Sequence, residues 1–277
     1  MGVRARAGAA VVPAVTLVAL VATAGCGPRQ APRASAPSAE PSRPTATATA
    51  TAPAASPATR SPEPPATSGP EPAPRPAPRP ATLRAGDHGP AVRALQERLL
   101  ALGYWLPGVD GAFGDGTAHA VVALQKAAGL SRDGVAGPRT RAALDARVVP
   151  RARSVHGHVI EVDEQRQLAL VVDDGRTSLV LDTSTGSGLP YSSQGRTSIA
   201  LTPHGTFRIS RAIDGMRVSP LGQLWRPRYF NGGIAIHGNP AVPPYPASHG
   251  CVRVTDAAID MIWARDLAPI GTVVIVR

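Results

Sequence analysis

The segment Ser248-His249-Gly250-Cys251-Val252-Arg253 decides which fold and which chemistry this sequence is expected to have. Its cysteine follows a glycine, stands just before a predicted helix, and has His249 two residues and His237 fourteen residues upstream. A thiol is a weak nucleophile near its unperturbed pKa of ~8.5, so it needs a base or a positive field, and an imidazole supplies the base. Gly250 allows a turn that points nearby amides at a developing oxyanion. These residues predict a Cys-His nucleophilic site.

Two other interpretations of the same residues stay open on spacing alone. Cys251 can be a small buried apolar residue. It can also join His237 and His249 in a zinc site, although the sequence offers no obvious further ligand and no H-E-x-x-H or H-x-E signature.

The residues around this segment, 155–277, have the pattern of short strands. Runs at 168–172 and 178–181 flank Asp173-Asp174-Gly175, which is a hairpin signal. One convincing helix is predicted at 256–266, with Thr255 as its cap. Many short strands with one helix predict a β-sandwich or barrel. The other strand-like runs are 199–201, 206–209, 233–236 and 273–276.

Residues 155–277 resemble the L,D-transpeptidase (YkuD-type) catalytic domain. The resemblance rests on the segment 248–253, on Ile236-His237-Gly238, and on residues 202–207, which follow the family's T-P-x-G-x-F pattern. It implies a mainly β catalytic domain, an L,D-transpeptidase-like β-sandwich, and no metal or organic cofactor. Only ten residues separate His237 from Ser248, which is a shorter loop than many members have.

The resemblance also implies a role for each matching residue. Cys251 is the nucleophile that attacks the carbonyl of meso-diaminopimelate in a donor tetrapeptide stem and releases D-Ala. His237 is the general base, steered by the backbone oxygen of Gly238, while His249 and Gly250 shape the oxyanion region. A second stem then accepts the acyl group through its side-chain amine, which gives a 3→3 cross-link, and carbapenems are expected to acylate the enzyme.

Three further residues are predicted to contact the substrate. Ser248 and Arg253 belong to the same motif, with supporting or substrate-carboxylate roles. Tyr229 lies eight residues before His237 and is a candidate to supply a hydroxyl, unless it is a packed strand aromatic.

Residues 83–149 contain an internal repeat. Ala94-Leu95-Gln96 recurs as Ala123-Leu124-Gln125, and each copy is followed by a glycine, an Asp-Gly pair and a threonine. Each unit predicts a helix that ends at glycine, a turn, and a threonine that caps the next helix. The segment is therefore a small all-α three-helix domain, and it resembles a peptidoglycan-binding domain found beside bacterial wall enzymes. A helical spacer without a ligand is the alternative. Three aromatic residues of this segment either contact sugars or fill the core, namely Tyr104, Trp105 and Phe113.

Residues 1–26 are predicted to be a signal peptide. Arg4 and Arg6 precede an apolar run of 14 residues, which is too short to span ~30 Å of hydrocarbon comfortably. Ala22-Thr23-Ala24 fits signal peptidase, whereas Ala24-Gly25-Cys26 resembles a lipobox in which Cys26 is lipidated. We favour lipidation, because a disulfide between Cys26 and Cys251 would close no compact loop. An extracytoplasmic protein with a lipid anchor in the membrane is expected.

Residues 27–82 are predicted to be a disordered Pro/Ala/Ser/Thr-rich linker. They hold 16 of the 30 prolines and no Val, Ile, Leu, Met, Phe, Tyr or Trp, so they cannot bury enough apolar surface to fold. Half of the formal net charge of +10 lies in residues 1–82, which argues against nucleic acid as a partner.

The sequence thus predicts a cell-wall L,D-transpeptidase, an acyltransferase whose partners are peptidoglycan stem peptides and glycan. One alternative is an L,D-carboxypeptidase, in which water resolves the same acyl-enzyme. Others are a non-catalytic wall-binding lipoprotein and a zinc peptidase.

Overall fold

Residues 82–277 are described by a computed structural model of the chain. The predicted signal peptide, the lipidation site at Cys26 and nearly all of the predicted linker lie outside these residues and stay predictions. Within residues 82–277, no helix is both long and apolar enough to cross a membrane.

Three helices precede the strands in the described part of the chain: α1 (Pro90–Ala101), α2 (Asp115–Ala127) and α3 (Pro138–Asp145). The first two helices end as predicted, because Gly103 and Gly129 follow them with φ values of 86° and 66°. Glycine adopts this left-handed conformation without the steric cost of a Cβ atom. The small all-α domain is therefore confirmed.

The predicted caps at Thr117 and Thr140 are wrong. The N-cap residues are Gly114 and Gly137, and neither helix has a side-chain cap. Thr117 instead accepts a hydrogen bond of 2.9 Å from Nε2 of Gln96, which also donates to Oδ1 of Asp110 at 2.7 Å. The second unit repeats this network with Gln125, Asp133 and Thr140. The sequence repeat thus encodes a buried polar network that ties each turn to the preceding helix.

The remaining residues form a mainly β domain, as predicted. Its strands are β1 His158–Asp163, β2 Leu168–Asp173, β3 Arg176–Asp182, β4 Pro190–Ser193, β5 Arg196–Ile199, β6 Gly205–Arg208, β7 Arg211–Ala212, β8 Met216–Ser219, β9 Gly222–Asn231, β10 Ile234–Gly238, β11 Val252–Val254 and β12 Val273–Val276. One sheet has the strand order β3-β2-β1-β12-β6, and a second has the order β11-β10-β9-β7, with β8 paired to β9. Strands β4 and β5 form a separate hairpin.

Both sheets contribute to one hydrophobic core, which helix α4 (Asp256–Ala264) completes. Thr255 caps α4 as predicted, because its side chain accepts a hydrogen bond from the amide of Ala258. The β2–β3 hairpin is also confirmed, with Asp174 and Gly175 at its turn. The predicted strand at 199–201 is partly wrong, since β5 ends at Ile199 and residues 200 and 201 lie outside any strand.

The helices and the first sheet share a second hydrophobic core. The side chain of Tyr104 is fully buried in it, and its hydroxyl donates to the backbone oxygen of Val148 at 2.8 Å. Phe113 is 1% exposed, and Trp105 packs against the core of the β domain. The three aromatic residues therefore serve packing. This core combines residues from both parts of the chain, including Val92, Leu99, Leu124, Leu168, Leu170, Val172 and Val180.

Candidate active site

Two neighbouring strands bring the predicted site residues together. Strand β10, which carries His237, pairs in parallel with β11, and its Ile236 and His237 lie opposite Val252 and Arg253. Cys251 directly precedes β11, so the loop between these parallel strands returns the chain to the start of β10, beside Ala235 and two residues from His237. The same cavity is lined by both side chains, and its volume is about 590 Å³.

His237 is buried and has a defined tautomer. Its side chain is 3% exposed, and Nδ1 lies 2.7 Å from the backbone oxygen of Gly238. A carbonyl oxygen only accepts hydrogen bonds, so Nδ1 carries the proton and Nε2 keeps a free lone pair. Burial lowers the pKa of His237 to about 4, and the positive charge of Arg253 acts in the same direction. The imidazole is therefore neutral at neutral pH and is able to accept a proton.

Cys251 has a free thiol that is partly exposed to solvent. It packs against a small cluster made of Leu224, Tyr229 and Ala235. Burial raises the pKa of the Cys251 thiol, while the amide of Ala235 and the charge of Arg253 oppose this shift. The resting pair is thus a neutral thiol and a neutral imidazole.

Ser248 holds the turn that carries the cysteine. Its hydroxyl donates to the backbone oxygen of Cys251 at 2.6 Å and accepts from the amide of Gly250 at 3.0 Å. The amide of Ser248 in turn donates to the backbone oxygen of Thr185 at 2.8 Å. The side chain is 2% exposed. These bonds give Ser248 a positioning role, and they occupy the amide of Gly250.

Thr202 anchors the same turn from the other side. Its hydroxyl donates to the backbone oxygen of Gly250 at 2.8 Å and accepts from the amide of Gly186 at 2.9 Å. Gly250 has a φ of +131°, and a Cβ atom there would lie 2.7 Å from the backbone oxygen of Leu201. Only glycine fits this position. Sequence reasoning gave Thr202 no role of its own, although it belongs to the motif at residues 202–207.

His249 differs from His237 in its surroundings. It is exposed, and its ring meets that of Tyr191 edge to face, with the centroids 4.9 Å apart. Both histidines line the cavity, but only His237 is buried with a carbonyl on Nδ1.

The remaining predicted residues also lie at the site. A Cβ atom at Gly238 would come within 2.7 Å of Oδ1 of Asp256, so its backbone needs glycine to stay close to helix α4. Tyr229 and Arg253 line the cavity. Tyr229 is 5% exposed and packs beside Cys251, so it is both a packed aromatic and part of the cavity wall. Sequence reasoning missed Tyr191, and it missed two arginines that also line the cavity, Arg211 on β7 and Arg217 on β8.

Within residues 82–277, no group of three or more His, Cys, Asp and Glu side chains is arranged to hold a metal ion.

Comparison with known proteins gives the class of this chain. Residues 157–276 match the L,D-transpeptidase catalytic domain family, and residues 88–144 match a peptidoglycan binding domain family. The crystal structure of an L,D-transpeptidase from Xylanimonas cellulosilytica is 49% identical, with a TM-score of 0.70, and the match covers 73% of this chain and 100% of that one. The chain therefore belongs to the L,D-transpeptidase family.

Curated relatives match a shorter part of the chain. Over 66 residues, or 23% of this chain, it is 50% identical to the N-acetylmuramoyl-L-alanine amidase CwlL of Bacillus licheniformis. The match spans 18% of that amidase. The likeness therefore does not extend to the amidase as a whole.

Proposed function

We propose that this protein forms 3→3 cross-links in peptidoglycan through an acyl-enzyme on Cys251. The single observation that supports this most is that Cys251 and a buried, neutral His237 line the same cavity. The cavity volume of about 590 Å³ is adequate for a peptide segment.

The first step is acylation. As Sγ of Cys251 attacks the carbonyl of meso-diaminopimelate in the donor stem, Nε2 of His237 accepts the thiol proton. The developing oxyanion needs amide donors, and the amide of Gly250 already donates to Ser248. The amides of His249 and Cys251 are left for this role. His237 then gives its proton to the departing D-Ala amine, and a thioester remains.

The second step transfers the acyl group. The side-chain amine of an acceptor stem attacks the thioester carbonyl and loses a proton to His237. The amide bond forms as the C–S bond breaks, and the thiolate of Cys251 takes the proton back from the imidazolium. No redox change or external reagent is needed, so the cycle is balanced.

Further parts of the proposal concern location and domains. The helical domain, proposed at 83–149, holds the enzyme on glycan, and the catalytic domain is proposed at 155–277. A lipid on Cys26 anchors the chain outside the cytoplasmic membrane, and carbapenems acylate Cys251. If the anchor is as proposed, Cys26→Ala moves the protein from the membrane fraction to the medium; an unchanged distribution refutes the anchor.

The proposed reaction is tested by incubating the protein with a disaccharide-tetrapeptide and analysing the products by mass. A transpeptidase yields a dimer that has lost one alanine. A carboxypeptidase yields only the tripeptide monomer, and Cys251→Ala yields neither product. Tripeptide without dimer would contradict the transpeptidase proposal.

A further inference from the structure

The candidate cavity carries an unbalanced positive charge. Three arginines line it, namely Arg211, Arg217 and Arg253, and no aspartate or glutamate does. In the described part of the chain, none of the three takes part in a salt bridge. A cavity with several guanidinium groups and no carboxylate favours an anionic ligand.

Two of these arginines lie opposite residues of the hydrophobic cluster against which Cys251 packs. On β7, Arg211 is the register partner of Tyr229, and on β8, Arg217 is the register partner of Leu224. Paired residues in an antiparallel sheet present their side chains on the same face. Tyr229 and Leu224 belong to the cluster against which Cys251 packs. Arg211 and Arg217 thereby pair with two members of that cluster, and they line the same cavity as Cys251.

The ring of Tyr229 supports the guanidinium of Arg211. The carbon Cζ of Arg211 lies 3.9 Å from the centroid of that ring. Stacking fixes the plane of the guanidinium and leaves its N–H groups along the edges. An edge with two parallel N–H groups matches the two oxygens of a carboxylate.

The nearby acid does not neutralise these arginines. Asp214 lies between Arg211 and Arg217 in sequence, but its Oδ1 accepts from Nε of Arg226 at 2.7 Å. Arg226 also bonds Oδ1 of Asp260 at 2.9 Å. Asp214 is thus engaged outside the cavity, and the two cavity arginines keep their full charge.

We propose that Arg211 and Arg217 form a subsite for a free carboxylate of the stem peptide, which makes the enzyme select carboxylate over carboxamide stems. This rests on the proposed function, because it assigns part of the donor to the same cavity. A carboxylate accepts two charged hydrogen bonds, whereas a carboxamide is neutral and turns an N–H group toward the guanidinium. We expect a preference of about 10-fold or more in affinity for the free carboxylate.

The test measures binding and turnover with three stems that differ only in amidation. One tetrapeptide stem keeps every carboxylate, the second is amidated at isoglutamate, and the third is amidated at diaminopimelate. Binding to Cys251→Ala is measured by calorimetry, so that selection is seen without chemistry. We expect one of the two amidated stems to bind about 10-fold more weakly than the stem that keeps every carboxylate.

Substitutions of the two arginines test whether they cause the preference for the free carboxylate. Arg211→Gln and Arg217→Gln, each in the Cys251→Ala background, are expected to bind all three stems with equal affinity. Arg196→Gln is the matched control, because Arg196 is an exposed arginine that does not line the cavity. It is expected to keep the preference. Gel filtration and thermal unfolding show whether each variant is folded, and Arg217→Lys supplies a second variant that keeps the charge but loses the bidentate geometry.

The two proposals fail in different ways. Equal binding of all three stems to Cys251→Ala, or a preference that survives both arginine variants, overturns the carboxylate subsite. A retained preference without any cross-linked or trimmed product from the wild-type protein supports the subsite and overturns the proposed reaction.

Discussion

The ammonium of Lys126 in helix α2 lies 2.5 Å from Oδ1 of Asp182 in strand β3, and both side chains are buried, at 0% and 3% exposed. Lys126 also donates to the backbone oxygens of Gln167 at 3.0 Å and Thr183 at 2.8 Å, so all three of its protons have acceptors. The hydroxyl of Thr183 in turn donates to the backbone oxygen of Arg253, two residues from Cys251. The helical domain is thereby joined to the strand that follows the candidate nucleophile.

Lys126→Met is expected to destabilise the protein by about 3–5 kcal/mol, because it removes the ammonium from the buried carboxylate of Asp182, which then keeps the His119 imidazole at 2.7 Å. Urea unfolding measures the loss. Arg98→Met is the matched control, since Arg98 and Asp145 form an exposed pair whose loss costs about 1 kcal/mol or less. Equal effects of the two substitutions would show that the Lys126 pair is not the anchor described here.

Thr202→Val is expected to lower the acylation rate by about 100-fold, because the turn before Cys251 loses an anchor and misplaces the thiol. Thr202→Ser keeps the hydroxyl and should restore most of the rate. Thr197→Val serves as the control, since the hydroxyl of Thr197 bonds Ser192 within the exposed β4–β5 hairpin. The rate is measured as mass adduct against time with a carbapenem. A Thr202→Val rate within about twofold of wild type would argue against the positioning role.

His237→Ala is expected to depress acylation by about 10²–10⁴, which is the usual cost of a missing general base. His249→Gln should have a smaller effect, because His249 is exposed and contacts Tyr191 rather than a fixed carbonyl. Acylation rates across pH compare the two. If His249→Gln loses the pH dependence of the acylation rate while His237→Ala keeps it, His249 and not His237 is the general base.

The pKa shifts predict the pH dependence of thiol reactivity. Burial raises the pKa of Cys251 and lowers that of His237 to about 4, so no thiolate–imidazolium pair forms in the resting site. The thiolate fraction below the raised pKa grows tenfold per pH unit, so alkylation by iodoacetamide should rise steadily from pH 6 to pH 8. The reaction is followed by mass, with Cys251→Ala as the control. A rate that is constant over this interval would indicate a preformed ion pair.

Much of the fold and the nucleophile's setting could be predicted from local sequence signals. The Asp174–Gly175 turn and the Thr255 cap are decided within a few residues, and both form as expected. The sequence did not predict strand β9, because Pro227 and the preceding Arg226 interrupt its strand pattern. Arg226 has a φ of +49°. The strand forms nonetheless, because β9 pairs with β10 along the sheet.

The rest of the site depends on contacts between distant residues. Lys126 is the only lysine in the sequence, and nothing near it indicates the buried partner 56 residues away. The place of Arg211 and Arg217 at the cavity likewise follows only from their register with Tyr229 and Leu224. No periodicity or motif within the chain specifies such pairings.

The proposed reaction depends on a covalent intermediate on Cys251, which intact-protein mass spectrometry of a rapidly quenched reaction detects. Wild-type protein mixed with a disaccharide-tetrapeptide should gain the mass of the donor stem minus one alanine, and peptide mapping should place the adduct on Cys251. Cys251→Ala should gain no mass. An adduct of the same mass on Cys251→Ala, or cross-linked product formed by that variant at the wild-type rate, would show that Cys251 is not the nucleophile.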